Sequence, residues 1–332
     1  MLIYVARRLL WMVPTLLGIT VLLYVVMLQA PGDPALVQFG NAGGGEAMNA
    51  GNLQEAITKF RQEHHLDQPW YVQYGYWLRS VATLDFGNEF QRPNVAIRDE
   101  MWDRLKVTVP LSLIAVLLSY LIALPLGILS AARQGSLFDR GSTFLLFLLY
   151  SLPTFWVGLM LILAFGATGL DWLPVVGLHD KDVSRLSGWP WWRDLLLHSI
   201  LPIATLTYGG LAYLSRQMRV GMLETIRQDY IRTARAKGLS ERVVVLRHAL
   251  RNSLIPVVTV FATILPILIG GSVIVEVVFN VPGMGLYAYE GLLNRDYNIV
   301  MATTTVSALM TLVGFLLSDV LYSVVDPRIS HG

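Results

Sequence analysis

Residues 229–242 read Asp229-Tyr230-Ile231-Arg232-Thr233-Ala234-Arg235-Ala236-Lys237-Gly238-Leu239-Ser240-Glu241-Arg242, and Val243 to Leu246 and then Arg247-His248-Ala249-Leu250-Arg251-Asn252 follow. Ala, Arg and Lys favour helix, Gly238 suits the position after a helix where φ turns positive, and Ser240 can cap a second helix. The pattern predicts helix, glycine turn, helix. From Arg216 to Arg251 there are nine Lys or Arg against three acids, Glu224, Asp229 and Glu241. Long uncharged runs flank this stretch on both sides, so it reads as a loop between membrane spans, and its charge assigns it to the cytoplasmic face. A short helix pair with small residues at Ala234, Ala236 and Gly238 offers a compact knob for a cytoplasmic partner. A loop whose charge only sets topology is the alternative.

The flanking runs belong to a chain of 332 residues that is 54% hydrophobic and only 14% charged, with a mean hydropathy of +0.54. Such a composition indicates a polytopic membrane protein, and uncharged runs long enough to span as helices make the expected fold class all-α. The absence of cysteine excludes disulfides, Cys-ligated metal and a Cys nucleophile. A net charge of +2, partitioned between compartments, implies no nucleic-acid partner.

Arg7 and Arg8 precede 24 uncharged residues, Leu9 to Gly32; about 20 suffice to cross a hydrocarbon core. A cleaved leader would need a shorter apolar segment and a small-x-small site, which Leu28-Gln29-Ala30 does not offer. Residues 33–104 hold ten acids and six bases, the opposite balance, and belong outside. There, Asn52 and Glu55 are spaced as a capping box, and Pro69 opens a helix with an apolar stripe of Trp70, Tyr74, Trp77, Leu78 and Val81. Val95 to Lys106 has the pattern of an interfacial helix. Further runs cover Val107–Ala132, Gly141–Leu170, Leu195–Ser215, Asn252–Val275 and Tyr297 to about Val325. Six spans follow, with both termini cytoplasmic, a small external helical region, and a basic helical loop before the fifth span. The divisions are residues 1–32, 33–97, 98–325 and 326–332.

None of the four lysines (Lys59, Lys106, Lys181, Lys237) stands in a G-x-x-x-x-G-K-[ST] phosphate loop, so the chain is not expected to hold ATP by that device. Gly283-Met284-Gly285 reads as a tight turn. His64-His65 are neighbours that diverge on a helix and lack partners at i+4 spacing, so no metal and no cofactor are expected. Glu276 and Asp319, at the limits of the fifth and sixth runs, read as structural acids in preference to a proton relay. Gly209-Gly210 and Gly270-Gly271-Ser272 permit close helix packing, and Ser272 is a candidate for the wall of a passage.

The basic loop resembles the E-A-A-x-x-x-G-x9-I-x-L-P motif of permeases in binding-protein-dependent ABC importers, and it is similar to the dipeptide and oligopeptide branch of that family. Arg232, Thr233 and Ala234 fall at the E-A-A positions, Gly238 at the glycine, and His248, Leu250 and Arg251 at I, L and P. The glutamate and the final proline are absent here. Pro31-Gly32-Asp33-Pro34, Pro282-Gly283-Met284-Gly285 and Asp326-Pro327-Arg328 are also family-like. The resemblance implies an inner-membrane permease subunit working by alternating access. Its implied partners are a homologous permease, two cytoplasmic ATP-binding subunits, and an external substrate-binding protein that delivers peptide. It also implies that Tyr230, Ala234, Arg235, Ala236, Lys237, Gly238 and Leu239 form the surface that couples to the ATPases. Dipeptide, longer peptide, glutathione and metal chelate all remain open as cargo, because selection rests largely with the binding protein. The competing classes are a proton-coupled secondary transporter using Glu276 and Asp319, and an intramembrane enzyme. The first calls for inverted hydropathy repeats and the second for a Ser/His or paired-acid constellation; the sequence offers neither.

Because the chain lacks cysteine, single cysteines report topology directly. An impermeant thiol reagent applied from outside is expected to label Gly45→Cys and spare Lys237→Cys; the reverse pattern would invert the assigned orientation.

Overall fold

The computed structural model describes residues 2–29, 32–40, 50–166, 169–180, 182, 187–254 and 264–325. Pro31, Asn41 to Gly45, Pro256, Asp326-Pro327-Arg328 and the tail to residue 332 lie outside them. Within the described residues the elements are helical: α1 (Leu2–Gln29), α2 (Pro34–Gly40), α3 (Ala50–Glu63), α4 (Trp70–Ala82), α5 (Ile97–Ala132), α6 (Leu137–Ser151), α7 (Thr154–Phe165), α8 (Trp189–Ile226) and α9 (Asp229–Ala236). After these come α10 (Glu241–Val243), a π-helical turn (Val244–Ala249), α11 (Leu250–Ser253), α12 (Ile264–Gly270), α13 (Val273–Val278), α14 (Met284–Leu293) and α15 (Tyr297–Val325).

Four of these are long and apolar enough to cross a membrane: Tyr4–Gln29 of α1, α5, α8 and Tyr297–Val320 of α15. Their large apolar side chains remain exposed at Leu10, Trp11, Leu22, Leu121 and Phe315, as lipid-facing positions require. Prolines inside the helices, Pro14, Pro110, Pro125 and Pro202, fit membrane helices, where neighbouring groups satisfy the freed carbonyls.

The six uncharged runs do not become six continuous helices. The Gly141–Leu170 run is broken between α6 and α7, which meet at 97°. Leu152 is extended (φ −86°, ψ 131°) because it precedes Pro153, which has no N–H to continue the ladder. The single proton of the Tyr208 hydroxyl is shared between the Leu149 and Leu152 carbonyls at that break. The Asn252–Val275 run is also interrupted. Its residues 255–263 lie outside the described part, and the remainder divides at Gly271-Ser272 into α12 and α13. The described residues thus hold four spans, or five if the bent pair is one.

Two compact units share the chain. The first comprises residues 1–107 and 283–310. Tyr24 and Met27 of α1 pack with Val300 and Met301 of α15, and Tyr74 and Trp77 of α4 lie half-buried against them, while Trp70 and Leu78 of the same expected stripe are exposed. Pro69 directly precedes α4, as its fixed φ predicts. Asn52, expected as a cap, instead lies inside α3, because the helix begins at Ala50. Val95–Lys106 is not a separate interfacial helix. Ile97 and Met101 are buried against Met284, Tyr287 and Ile299, and the helix continues unbroken as α5.

The second unit comprises residues 108–282 and 311–332. One polar knot fixes three of its helices at their charged ends. The Asp139 carboxylate receives Nε and Nη2 of Arg219 at 2.8 and 2.9 Å, the Gly135 amide at 2.9 Å, and the Ser130 hydroxyl. Asp139 is 4% exposed, so removing one partner strands the other. Asp139→Ala is expected to lower stability by about 2–4 kcal/mol, and Asp139→Ala/Arg219→Met to recover part of that loss, read as unfolding midpoints in detergent. Equal midpoints for Asp139→Ala and wild type would show that the knot contributes nothing.

Candidate functional site

At the end of α8 the chain reverses through Arg227-Gln228 into α9. With only eight residues α9 would be marginal alone, so packing must hold it. Ile231 (0% exposed) and Ala234 (6%), three residues apart on one face, insert among Ala131, Met218, Met222, Val244, Val245 and Ala249. Burying one isoleucine side chain stabilises by roughly 1.5–3 kcal/mol, enough to decide between folded and frayed for so short a helix.

The turn after α9 is a Schellman motif: the Gly238 amide donates to the Arg235 carbonyl (2.9 Å) and the Leu239 amide to the Ala234 carbonyl (3.4 Å). Gly238 has φ +78°, as the sequence predicted. Arg235 bridges this turn with a two-pronged bond to Glu241, 3.1 Å from Nε and 2.6 Å from Nη2. The Arg235 guanidinium holds the Glu241 carboxyl below the ordinary carboxylate range. Asn252 Nδ2 donates to the Tyr230 hydroxyl at 2.7 Å, tying α9 to α11. Between α10 and α11 the π-helical turn places Val244, Val245 and Ala249 in the seat of α9.

The seven residues expected to form one surface are therefore divided. Tyr230, Arg235, Ala236, Lys237, Gly238 and Leu239 are exposed, whereas Ala234 faces the core. A bulky residue at 234 would disrupt the seat and would not obstruct an outer face, contrary to the sequence expectation. The Ser240 cap has the extended geometry of an N-cap, with its carbonyl accepting from Val243 and Val244, but its side chain makes no capping bond.

Elsewhere in the second unit is a cavity of about 860 Å³ lined mainly by apolar side chains such as Val116, Leu206, Ile267 and Phe315, with Ser112, Ser119, Thr205, Ser272 and Asp319 among them. Ser272, the sequence candidate, is on this wall and also caps α13, its Oγ accepting from the Val275 amide at 3.4 Å. Glu276 is 5% exposed and receives the Thr108 hydroxyl at 3.1 Å. Gly271, at φ +66°, is where any Cβ would collide with the Glu276 carboxylate. The sequence marked Ser272 through its small neighbours, but Ser112, Ser119 and Thr205 lie in long apolar runs that give no sign of which face looks inward.

The loop geometry separates strain from packing. Gly238→Val, with open space around its Cβ, is expected to cost about 1–3 kcal/mol through φ alone. Ala234→Trp is expected to cost a similar amount by overpacking, and Ala236→Trp almost nothing. Thermal unfolding and proteolysis at residues 227–241 measure all three; an undisturbed Ala234→Trp would refute the inward-facing seat.

A family described as "Binding-protein-dependent transport system inner membrane component" matches residues 123–331. The chain is 40% identical to the oligopeptide transport system permease protein AppB of Bacillus subtilis (strain 168), covering 99% of both chains. It is 35% identical to the dipeptide transport system permease protein DppB of Alkalihalophilus pseudofirmus, over the whole of each. It is also 36% identical to the di/tripeptide transport system permease protein DppB of Pseudomonas aeruginosa, covering 100% of this chain and 99% of that one. Among solved structures, the inward-facing MetNI methionine ABC transporter shares the fold, with a TM-score of 0.52 at 17% identity over 68% of this chain and 96% of the other.

Proposed function

Because the chain belongs to the family of binding-protein-dependent transport system inner membrane components, we propose that it translocates peptides as one permease of an ABC importer. The observation that carries this reading is end-to-end similarity, at 35–40% identity, to permeases named for oligopeptides and dipeptides. The chain is a multi-pass membrane transport component and not an enzyme. In the proposed assembly it pairs with a homologous permease, two cytoplasmic ATPases and an external binding protein, with both of its own termini cytoplasmic. Residues 98–325 are the proposed transport domain. A secondary transporter driven by protons is not favoured by relatives of this kind.

The exposed face of α9 and its turn supports a coupling role. Tyr230, Arg235, Ala236, Lys237, Gly238 and Leu239 lie outward on a helix whose inner face is seated on α8 and the π-helical turn, so a push on α9 is delivered to the end of a 38-residue helix. Nucleotide-driven closure of the ATPases would then shift the permease between two states by contacting this face differently in each. The cavity that includes Ser112, Ser119, Thr205 and Ser272 is the proposed passage wall; its mainly apolar lining with few polar groups suits solutes that must pass without being held.

Reconstitution with the partner permease, the ATPases and the binding protein tests the proposal. Labelled peptide is expected to enter proteoliposomes only with ATP, and Ala236→Trp is expected to assemble in the membrane at normal stability yet lose most uptake and ATPase co-purification. Uptake by the chain alone under a proton gradient, or normal transport by Ala236→Trp, would contradict it.

A further inference from the structure

Near the start of α8, where no role has yet been assigned, two histidines and two aspartates converge. His198 is 3% exposed and its Nδ1 lies 2.9 Å from the Asp194 backbone carbonyl. A carbonyl only accepts, so Nδ1 carries the proton and Nε2 presents a lone pair. That lone pair faces Asp180 Oδ1 at 3.7 Å, which is another acceptor and too far for a hydrogen bond. The Asp194 carboxylate lies beside the other ring nitrogen, its Oδ1 3.2 Å from Nδ1; Asp180, Asp194 and His198 each offer a ligand atom within 4.8 Å of one another, and a side-chain rotation of Asp194 would bring its carboxylate to an ion held at Nε2.

We infer that His198, Asp194 and Asp180 bind a divalent transition cation of the Zn²⁺ class. Two ligands of one tetrahedral ion, each at about 2.0–2.2 Å, stand roughly 3.3–3.7 Å apart, which is the spacing of Nε2 and Oδ1. Two carboxylates and one neutral imidazole balance a charge of +2, and one nitrogen with two oxygens suits a borderline ion better than a soft one. The surroundings match the outer shell of such sites, in which a ligand histidine donates its second N–H to a carbonyl and a ligand carboxylate is itself hydrogen-bonded. His179 Nδ1 stands 2.7 Å from Asp194 Oδ2, and the Asp180 amide donates to the same oxygen at 3.3 Å. Asp180 has a side chain 76% exposed, which gives an ion a path from water. The bound ion would fasten the loop at 179–180 to the first turns of α8. The rival arrangement is a protonated His198 held by two acids with no metal.

The test is Zn²⁺ titration of the purified full chain in lipid nanodiscs after chelator treatment, read by calorimetry and by elemental analysis of bound metal. Wild type is expected to bind one Zn²⁺ at micromolar concentration or tighter, with a rise in unfolding temperature. Asp180→Asn, an exposed change that leaves the metal-free unfolding temperature unaltered, is expected to weaken binding at least tenfold and to abolish the rise. His198→Gln is expected to remove the site. Failure of wild type to bind Zn²⁺, equal binding by wild type and Asp180→Asn, or displacement of Zn²⁺ by equimolar Mg²⁺ or Ca²⁺ would overturn the inference.

Discussion

The apolar seat beneath α9 is the contact on which the rest of the loop depends. Ile231 and Ala234 are the inward pair of an eight-residue helix too short to persist unaided. Their burial against Met218 and Met222 of α8 and against Val244, Val245 and Ala249 makes the loop an extension of a long helix. The Schellman turn at Gly238, the Arg235–Glu241 bridge and the Asn252–Tyr230 bond then fix the polar face without adding to the apolar core. Arg235 and Glu241 are exposed, so their bond is worth little to stability, and its consequence is geometric: it holds the two helices of the loop at one angle.

A second polar constraint, the Asp139–Arg219 pair, lies on the same helix. Arg219 sits one residue from Met218, so the knot that ties α5, α6 and α8 together and the seat that carries α9 are on adjacent positions of α8. A displacement of α9 therefore reaches three helices through neighbouring residues. This arrangement gives the proposed coupling a physical route, a packed element biased by contact at its outer face.

Much of this was legible in the sequence because it rests on local chemistry. Gly238 announced a positive φ and Pro69 a helix start, and the residues around Gly238 announced helix, turn, helix. The misreadings came where tertiary contacts decide. Pro153 marks a break in Phe147 to Phe155, but nothing there reveals that a Tyr208 hydroxyl, more than fifty residues away, shares its proton with the carbonyls freed at it, and the run's length alone suits one span. Ala234 looked like a surface residue because alanine is small and its neighbours are charged; only the three-residue spacing from Ile231 hinted that it faces inward. Asn52 satisfied a capping pattern that α3 does not use, because the helix had already begun. The cavity wall was the least legible, since serines and threonines in apolar helices bond their own backbone equally well whether they face a passage, a neighbour or lipid. Ser119 and Thr205 both do so here.

The central claim is that α9 moves as part of α8, and amide hydrogen exchange on the purified chain tests it most directly. The account predicts that amides from Ile231 to Leu239 are protected on the order of a hundredfold or more over unstructured rates, and that Ile231→Ala abolishes this protection while leaving the middle of α8 unchanged. Exchange of residues 229–239 at unstructured rates in the wild-type chain would contradict the account and reduce the stretch to a charged connection between spans.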